Sequence, residues 1–170
     1  MAATGALISV EHYLRTVTDP DCEYVRGVLE ERVVGEYDHS TWQTILAEFF
    51  NARGAELAIK ARTELRIQVA AENFRVPDVT LLSRNAPREQ IITHPPVAVF
   101  EILSPEDSMT RMLEKLSDYE RMGIAAIWLI EPTKLLYYRY LGGQLTPGTV
   151  FDLPGTRFSV DFAQIAALAD

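Results

Sequence analysis

Hydrophobic positions along the chain switch between two periods. Val97–Leu103 is a nearly unbroken apolar run of strand length, rich in β-branched and aromatic residues, and it predicts a buried central strand. The stretch from Met109 to Gly123 has helical spacing, with Met109, Met112, Leu113, Leu116 and Tyr119 on one face and Glu114 and Asp118 pointing the other way. Before this pair, the pattern predicts a short helix over Ser9–Val17 capped by Ser9, with Val10, Tyr13, Leu14 and Val17 as its stripe. A hairpin over Glu23–Val34 turns near Gly27. A helix reaching Asn51 draws its caps from Asp38, His39 and Ser40 and buries Trp42, Ile45, Leu46 and Phe49. Strands are expected at Leu57–Ala61, Leu65–Val69 and Phe74–Ser83, then a loop over Arg84–His94. After the central strand and helix come strands at Ala125–Ile130 and Leu135–Leu141, a Gly142-Gly143 turn, and a last helix begun by Asp161 and running through Leu168.

The order of elements describes one α/β domain over residues 1–170, with a central mixed sheet flanked by helices. No apolar run reaches the ~20 residues that span a bilayer. Residues 1–6 lack the basic start and long apolar centre of a secretory signal, and the single Cys22 has no internal disulfide partner. The expected compartment is the cytoplasm, with no membrane partner.

One residue in the apolar run is out of place. Glu101 sits inside it, and a buried carboxylate must be hydrogen-bonded, paired or bound to a metal. If the strand after Pro77-Asp78 runs antiparallel to this one with Asp78 opposite Glu101, then Ser83 falls opposite Pro96, and the connection left over is the segment already read as a loop. Opposed carboxylates repel unless a cation joins them. A hard divalent ion such as Mg²⁺ would suit two such acids. The competing reading has one or both acids bonded to backbone amides or to an arginine such as Arg75. Lys115 falls at the rim of the apolar face of its helix, one turn after Arg111, where it either leans toward the acid of the preceding strand or lies along the surface with no task.

Together, Glu23, Pro77-Asp78, Glu101-Ile102-Leu103-Ser104-Pro105, Lys115-Leu116-x-x-Tyr119, Gly123, Trp128 and Glu131-Pro132 resemble the restriction endonuclease family within the PD-(D/E)XK nuclease superfamily. The resemblance implies a restriction-endonuclease-like fold and a Mg²⁺- or Mn²⁺-dependent endonuclease acting on DNA. By the same resemblance Asp78 and Glu101 are the metal ligands, the Ile102 carbonyl is a further one, and Lys115 assists the attacking water. Glu23, preferred over Glu48, would shape the site, and His39, Arg111 and Tyr119 are candidates for positioning water or substrate. Leu103 stands where the superfamily motif has its lysine; in this family the lysine moves to the following helix. The family also shows E-L-I-D-G-E where this chain has Glu23-Tyr-Val-Arg-Gly-Val. That departure, with a net charge of −8 from 24 acids and 16 bases, motivates a rival reading: a binding protein that keeps the fold and no longer cuts.

Other chemistries find less support. His12, His39, His94 and Cys22 share no zinc spacing, no glycine-rich phosphate loop occurs, and the serines lack a nucleophile elbow. Tyr137, Tyr138 and Tyr140 alternate like a strand and read as edge packing rather than a base-stacking platform. Restriction-type folds often act as homodimers; the apolar tail Leu145–Leu168 would either form such an interface or complete the monomer core.

Overall fold

A computed structural model describes residues 7–169; the leader expectation concerns residues 1–6 and lies outside the described residues. Among the described residues no helix is long and apolar enough to cross a membrane.

The central layer is a six-stranded sheet. Its strands are β3 (Ile59–Thr63), β6 (Val79–Ser83), β7 (Ala98–Ile102), β8 (Ala126–Glu131), β9 (Leu136–Leu141) and β10 (Gln144–Pro147), in the spatial order β10-β9-β8-β7-β6-β3. Only β7 and β8 are parallel, and helix α3 (Met109–Met122) joins them, as a parallel crossover requires. Successive side chains of β7 alternate faces. Ala98, Phe100 and Ile102 enter one core with Trp128, Ile130 and the buried side of α2 (Tyr37–Ala52). Val99 enters the opposite core with Ile127, Leu129, Met112, Leu116 and Tyr119. The same alternation turns Glu101 toward α3. The register between β6 and β7 pairs Val79 with Phe100 and Leu81 with Ala98, which is the alignment the loop length implied.

A second sheet of four strands, ordered β2-β1-β5-β4, combines β1 (Cys22–Val25), β2 (Val28–Glu31), β4 (Ile67–Ala70) and β5 (Asn73–Arg75). The expected strand Phe74–Ser83 is therefore two strands in two sheets. Val76-Pro77-Asp78 breaks it, because proline cannot donate to a ladder and the chain changes sheets there. The β1–β2 hairpin turns through Arg26 (φ 48°) and Gly27 (φ 88°), both left-handed, as a two-residue turn demands. The Arg26 N–H donates to the Glu72 carbonyl and Asn73 Oδ1, which holds a side chain unusual for that position.

Three expectations change. α1 spans Val10–Arg15, with Ser9 as its cap, and of the expected stripe only Tyr13 is buried, against Tyr24 and Phe74. α2 begins at Tyr37, capped by Glu36 without a side-chain bond, so Asp38, His39 and Ser40 lie inside the helix rather than ahead of it. The tail closes the monomer: β11 (Val150–Asp152), β12 (Ser159–Asp161) and α4 (Phe162–Ala166, capped by Asp161) deliver Leu153, Val160, Phe162 and Ile165 into the α2 core.

α2 is also pinned to the sheet edge by a polar contact. Asn51 Oδ1 accepts from the Ala61 N–H (2.9 Å). Replacing Asn51 with Ala leaves that half-buried donor unpaired, and urea denaturation should show a loss of about 1–2 kcal/mol with an unchanged m value.

Candidate active site

The two sheets meet at Val76–Asp78, and the site is built around that junction. Two backbone groups of Val76 are spent on it: its N–H donates to Glu23 Oε1 (2.8 Å) and its carbonyl accepts from Lys115 Nζ (3.1 Å). Asp78 follows Pro77 with its Oδ2 accepting from the Ile102 N–H (2.7 Å) and its Oδ1 facing His39 Nε2 (3.2 Å). From β7, Glu101 accepts from the Tyr119 hydroxyl (2.6 Å) and from Lys115 Nζ (2.9 Å). Lys115 also pairs with Glu23 Oε1 at 2.8 Å. Glu23, Asp78, Glu101, Ile102, Lys115, His39 and Arg111 thus line one cavity of about 130 Å³ at the carboxyl end of β7. Glu48 is exposed on the far face of α2.

Three buried carboxylates surround one ammonium, and their protonation follows from how each is compensated. Burial pushes Glu23 up, but Lys115, Arg75 and the Val76 N–H outweigh it and hold the carboxyl below its usual range. Burial likewise opposes ionisation of Asp78, and His39, Lys115 and the Ile102 N–H reverse it, so this acid is also depressed. Glu101 has no backbone donor. Burial, then repulsion from Asp78 and Glu23, exceeds the help of Lys115 and Tyr119, and its pKa is pushed up to about 8. Lys115 is itself buried, yet Glu101, Glu23 and Asp78 keep it charged. Glu101 stays raised because its burial and the charges of Asp78 and Glu23 outweigh an ammonium that it shares with Glu23.

His39 is no capping bystander. Burial lowers its pKa, but the bond to Asp78 and the charges of Asp78 and Glu101 win, and the imidazole is raised above its ordinary value. Gly35 allows this placement, since a Cβ there would stand 2.7 Å from His39 Nδ1. A raised histidine pKa stabilises the fold below its unfolded value and loses that contribution as pH rises through the folded one. Asp78→Asn should bring the His39 pKa down toward or below its ordinary value in an NMR titration; an unchanged titration would mean that the contact carries no charge coupling.

The helical wheel misplaced two groups. Asp118, expected to point outward, is buried against the second sheet, while Met109 and Leu113 of the expected apolar face are partly exposed. Asp118 Oδ2 accepts from Arg75 Nε (2.8 Å) and Nη2 (2.7 Å), and Arg75 Nη1 reaches both Glu23 and Glu30 at 3.0 Å. Arg75 therefore pairs with Glu23 rather than with Asp78 or Glu101. Arg111 turns to Glu30 (3.5 Å). Tyr119 is fully buried, with its hydroxyl on Glu101. The departure from E-L-I-D-G-E falls in the hairpin turn: Arg26 and Val28 line a separate groove against α3 and not the cavity. Arg32, Glu30 and Asp118 escaped the sequence reading. Arg32 lines the cavity with its Nη2 3.7 Å from Asp78 Oδ1. The hairpin register could have flagged Glu30, because it places Glu30 directly across from Glu23 and two opposed acids demand a cation.

Residues 10–156 match the Uma2 family, described as "putative restriction endonuclease". The chain belongs to that family. The Uma2 fold is also seen in a crystal structure described as a putative nuclease belonging to DUF820 from Anabaena variabilis ATCC 29413. That chain is 21% identical with a TM-score of 0.81, over 95% of this chain and 99% of the other. A cryo-EM structure of a DrdV–DNA complex is more distant, at 15% identity and a TM-score of 0.42, covering 73% of this chain and 10% of that one. No curated protein matches the sequence.

The donor set suits a hard divalent cation. Asp78 and Glu101 bring carboxylate oxygens into one cavity beside a further acid, with no thiolate among them. Among the described residues no group of three or more His, Cys, Asp or Glu side chains is arranged to hold a metal ion; an ion on two carboxylates would take its remaining ligands from water or phosphate.

Proposed function

We propose that this Uma2 protein is a Mg²⁺- or Mn²⁺-dependent endonuclease that hydrolyses phosphodiester bonds in DNA. The observation that carries the reading is the convergence of Lys115 Nζ on Glu101, 2.9 Å away, in the cavity that Asp78 also lines. Asp78, Glu101 and the Ile102 carbonyl would hold the cation. Bound there, it would lower the pKa of water and neutralise phosphate charge as the reaction proceeds. Lys115 stays charged, so it donates rather than accepts a proton; its part is to hold the attacking water and stabilise negative charge on the phosphoryl oxygens. Glu23 and the Val76 carbonyl fix the ammonium, and Tyr119 fixes Glu101. His39 holds Asp78, and Arg111, half-exposed at the rim, is placed to meet a phosphate.

Calorimetric titration with Mn²⁺ tests the metal half of the reading directly. Asp78→Ala and Glu101→Gln should each abolish measurable binding. In the unmodified protein a proton must leave Glu101, so affinity should rise with pH and level off above about 8. Binding that is indifferent to both substitutions would remove these acids from the role. The same two variants should lose plasmid cleavage by at least about 100-fold; equal residual cleavage would point to a contaminant.

A further inference from the structure

A second concavity opens beside the catalytic cavity. It has a volume of about 620 Å³ and shares His39, Ser104 and Asp107 with the cavity as a common wall. Its floor is apolar, made by Leu103, Pro105, Met109, Pro132 and Tyr138. Tyr137 and Tyr140 are buried on either side of Tyr138 in β9, but Tyr138 itself is half-buried, on the face that carries this groove. Tyr137 and Tyr140 are thus taken up by packing, while Tyr138 packs partly against the core under α3 and lines the groove with the part that stays exposed. The rim is acidic, with Glu36, Asp38 and Glu131, and its one lysine, Lys134, is tied to Glu131 at 2.8 Å.

We propose that this groove receives an unpaired base of the substrate, stacked on Tyr138, next to the phosphodiester in the cavity. The inference rests on the nuclease reading for the phosphodiester's position. It assigns the substrate class as single-stranded DNA, or duplex carrying an unpaired nucleotide. Three observations carry it. An acidic rim repels phosphate but accepts hydrogen bonds from the exocyclic amines of bases, so the groove suits a base and not the backbone. An apolar floor with one accessible aromatic ring supplies a stacking surface that any base can use. The wall shared with the cavity makes the two sites neighbours along one strand, and a base can enter a concave groove only after leaving the stack.

The test is binding of a short single-stranded oligodeoxynucleotide containing 2-aminopurine to the full chain in EDTA, followed by fluorescence quenching. Working without metal keeps binding independent of cleavage. Tyr138→Ala should weaken binding about tenfold, and Tyr138→Phe should leave it unchanged. Met109→Glu, at an exposed start of α3, should produce the same loss by placing a charge in the groove, and it serves if Tyr138→Ala fails to fold. A fully paired duplex of the same sequence should compete at least about tenfold more weakly than the single strand. Equal competition by the duplex, or wild-type affinity in both Tyr138→Ala and Met109→Glu, overturns the proposal. Absence of Mn²⁺-dependent cleavage by the unmodified protein would instead overturn the nuclease reading, while quenching lost in Tyr138→Ala would still support the base site.

Discussion

Arg75→Leu is expected to destabilise the protein by about 3–5 kcal/mol, the cost of leaving buried charges unpaired. Arg75 is 2% exposed and serves three acids on three elements: Glu23 of β1, Glu30 of β2 and Asp118 of α3. Burial alone would favour a neutral guanidine; Glu23 and Asp118 reverse this and keep it firmly charged. The pair Glu23–Glu30 lies directly opposed across the hairpin, so without the arginine Glu23 keeps only the Lys115 ammonium that it shares with Glu101, and Glu30 keeps only the exposed Arg111. Arg75→Lys should recover part of the loss, since an ammonium restores charge but cannot span Asp118 and the two glutamates with a planar fork. Urea denaturation with an unchanged m value checks both. The double variant Arg75→Leu/Asp118→Leu should be more stable than Arg75→Leu alone, because it removes a buried acid left with only the exposed Arg121 as partner. A loss below about 1 kcal/mol in Arg75→Leu would mean that the network contributes no more than an exposed pair.

Arg75 also shows where sequence reading reached its limit. Interactions near in sequence, or fixed by strand register, were legible. The loop length supported the alignment of Asp78 with Glu101, and helical phase put Lys115 at a rim from which it could reach the acid or lie along the surface; the structure shows the first. Partnerships that depend on a second sheet were not. Helical phase places Asp118 opposite the central sheet, which reads as solvent, but the β1–β2–β5 layer covers that side and supplies Arg75. The break at Pro77 was visible in the sequence as a proline inside a strand pattern, and it is the reason Asp78 sits at the junction and not in mid-ladder. His39 was a candidate from the family resemblance, but its partner was hidden by the helix boundary: with α2 starting at Tyr37, its ring leaves the cap and turns to Asp78.

Lys115→Met should reduce Mn²⁺-dependent DNA cleavage by at least about 100-fold while leaving Mn²⁺ binding detectable. The separation matters because Lys115 has two duties. Its Nζ neutralises Glu23 and Glu101 in the folded protein, and in the proposed reaction it also holds water and the charge that develops on the phosphoryl oxygens. Methionine keeps a stem of similar length in this nearly buried position and deletes the ammonium. Some stability should be lost, so cleavage is to be compared at a temperature where both proteins are fully folded. Cation binding has the opposite dependence: deleting a positive group beside Asp78 and Glu101 cannot weaken the attraction of ionised carboxylates for a divalent ion. Because Lys115 helps hold the Glu101 pKa down, Glu101 ionises at a higher pH in the variant than in the unmodified protein, and once it does Mn²⁺ should still bind to the variant. A variant that neither binds nor cuts would make Lys115 a structural counter-ion alone. One that binds Mn²⁺ and cuts at the unmodified rate would remove the lysine from the chemistry, and with it the argument that this cavity is a nuclease centre.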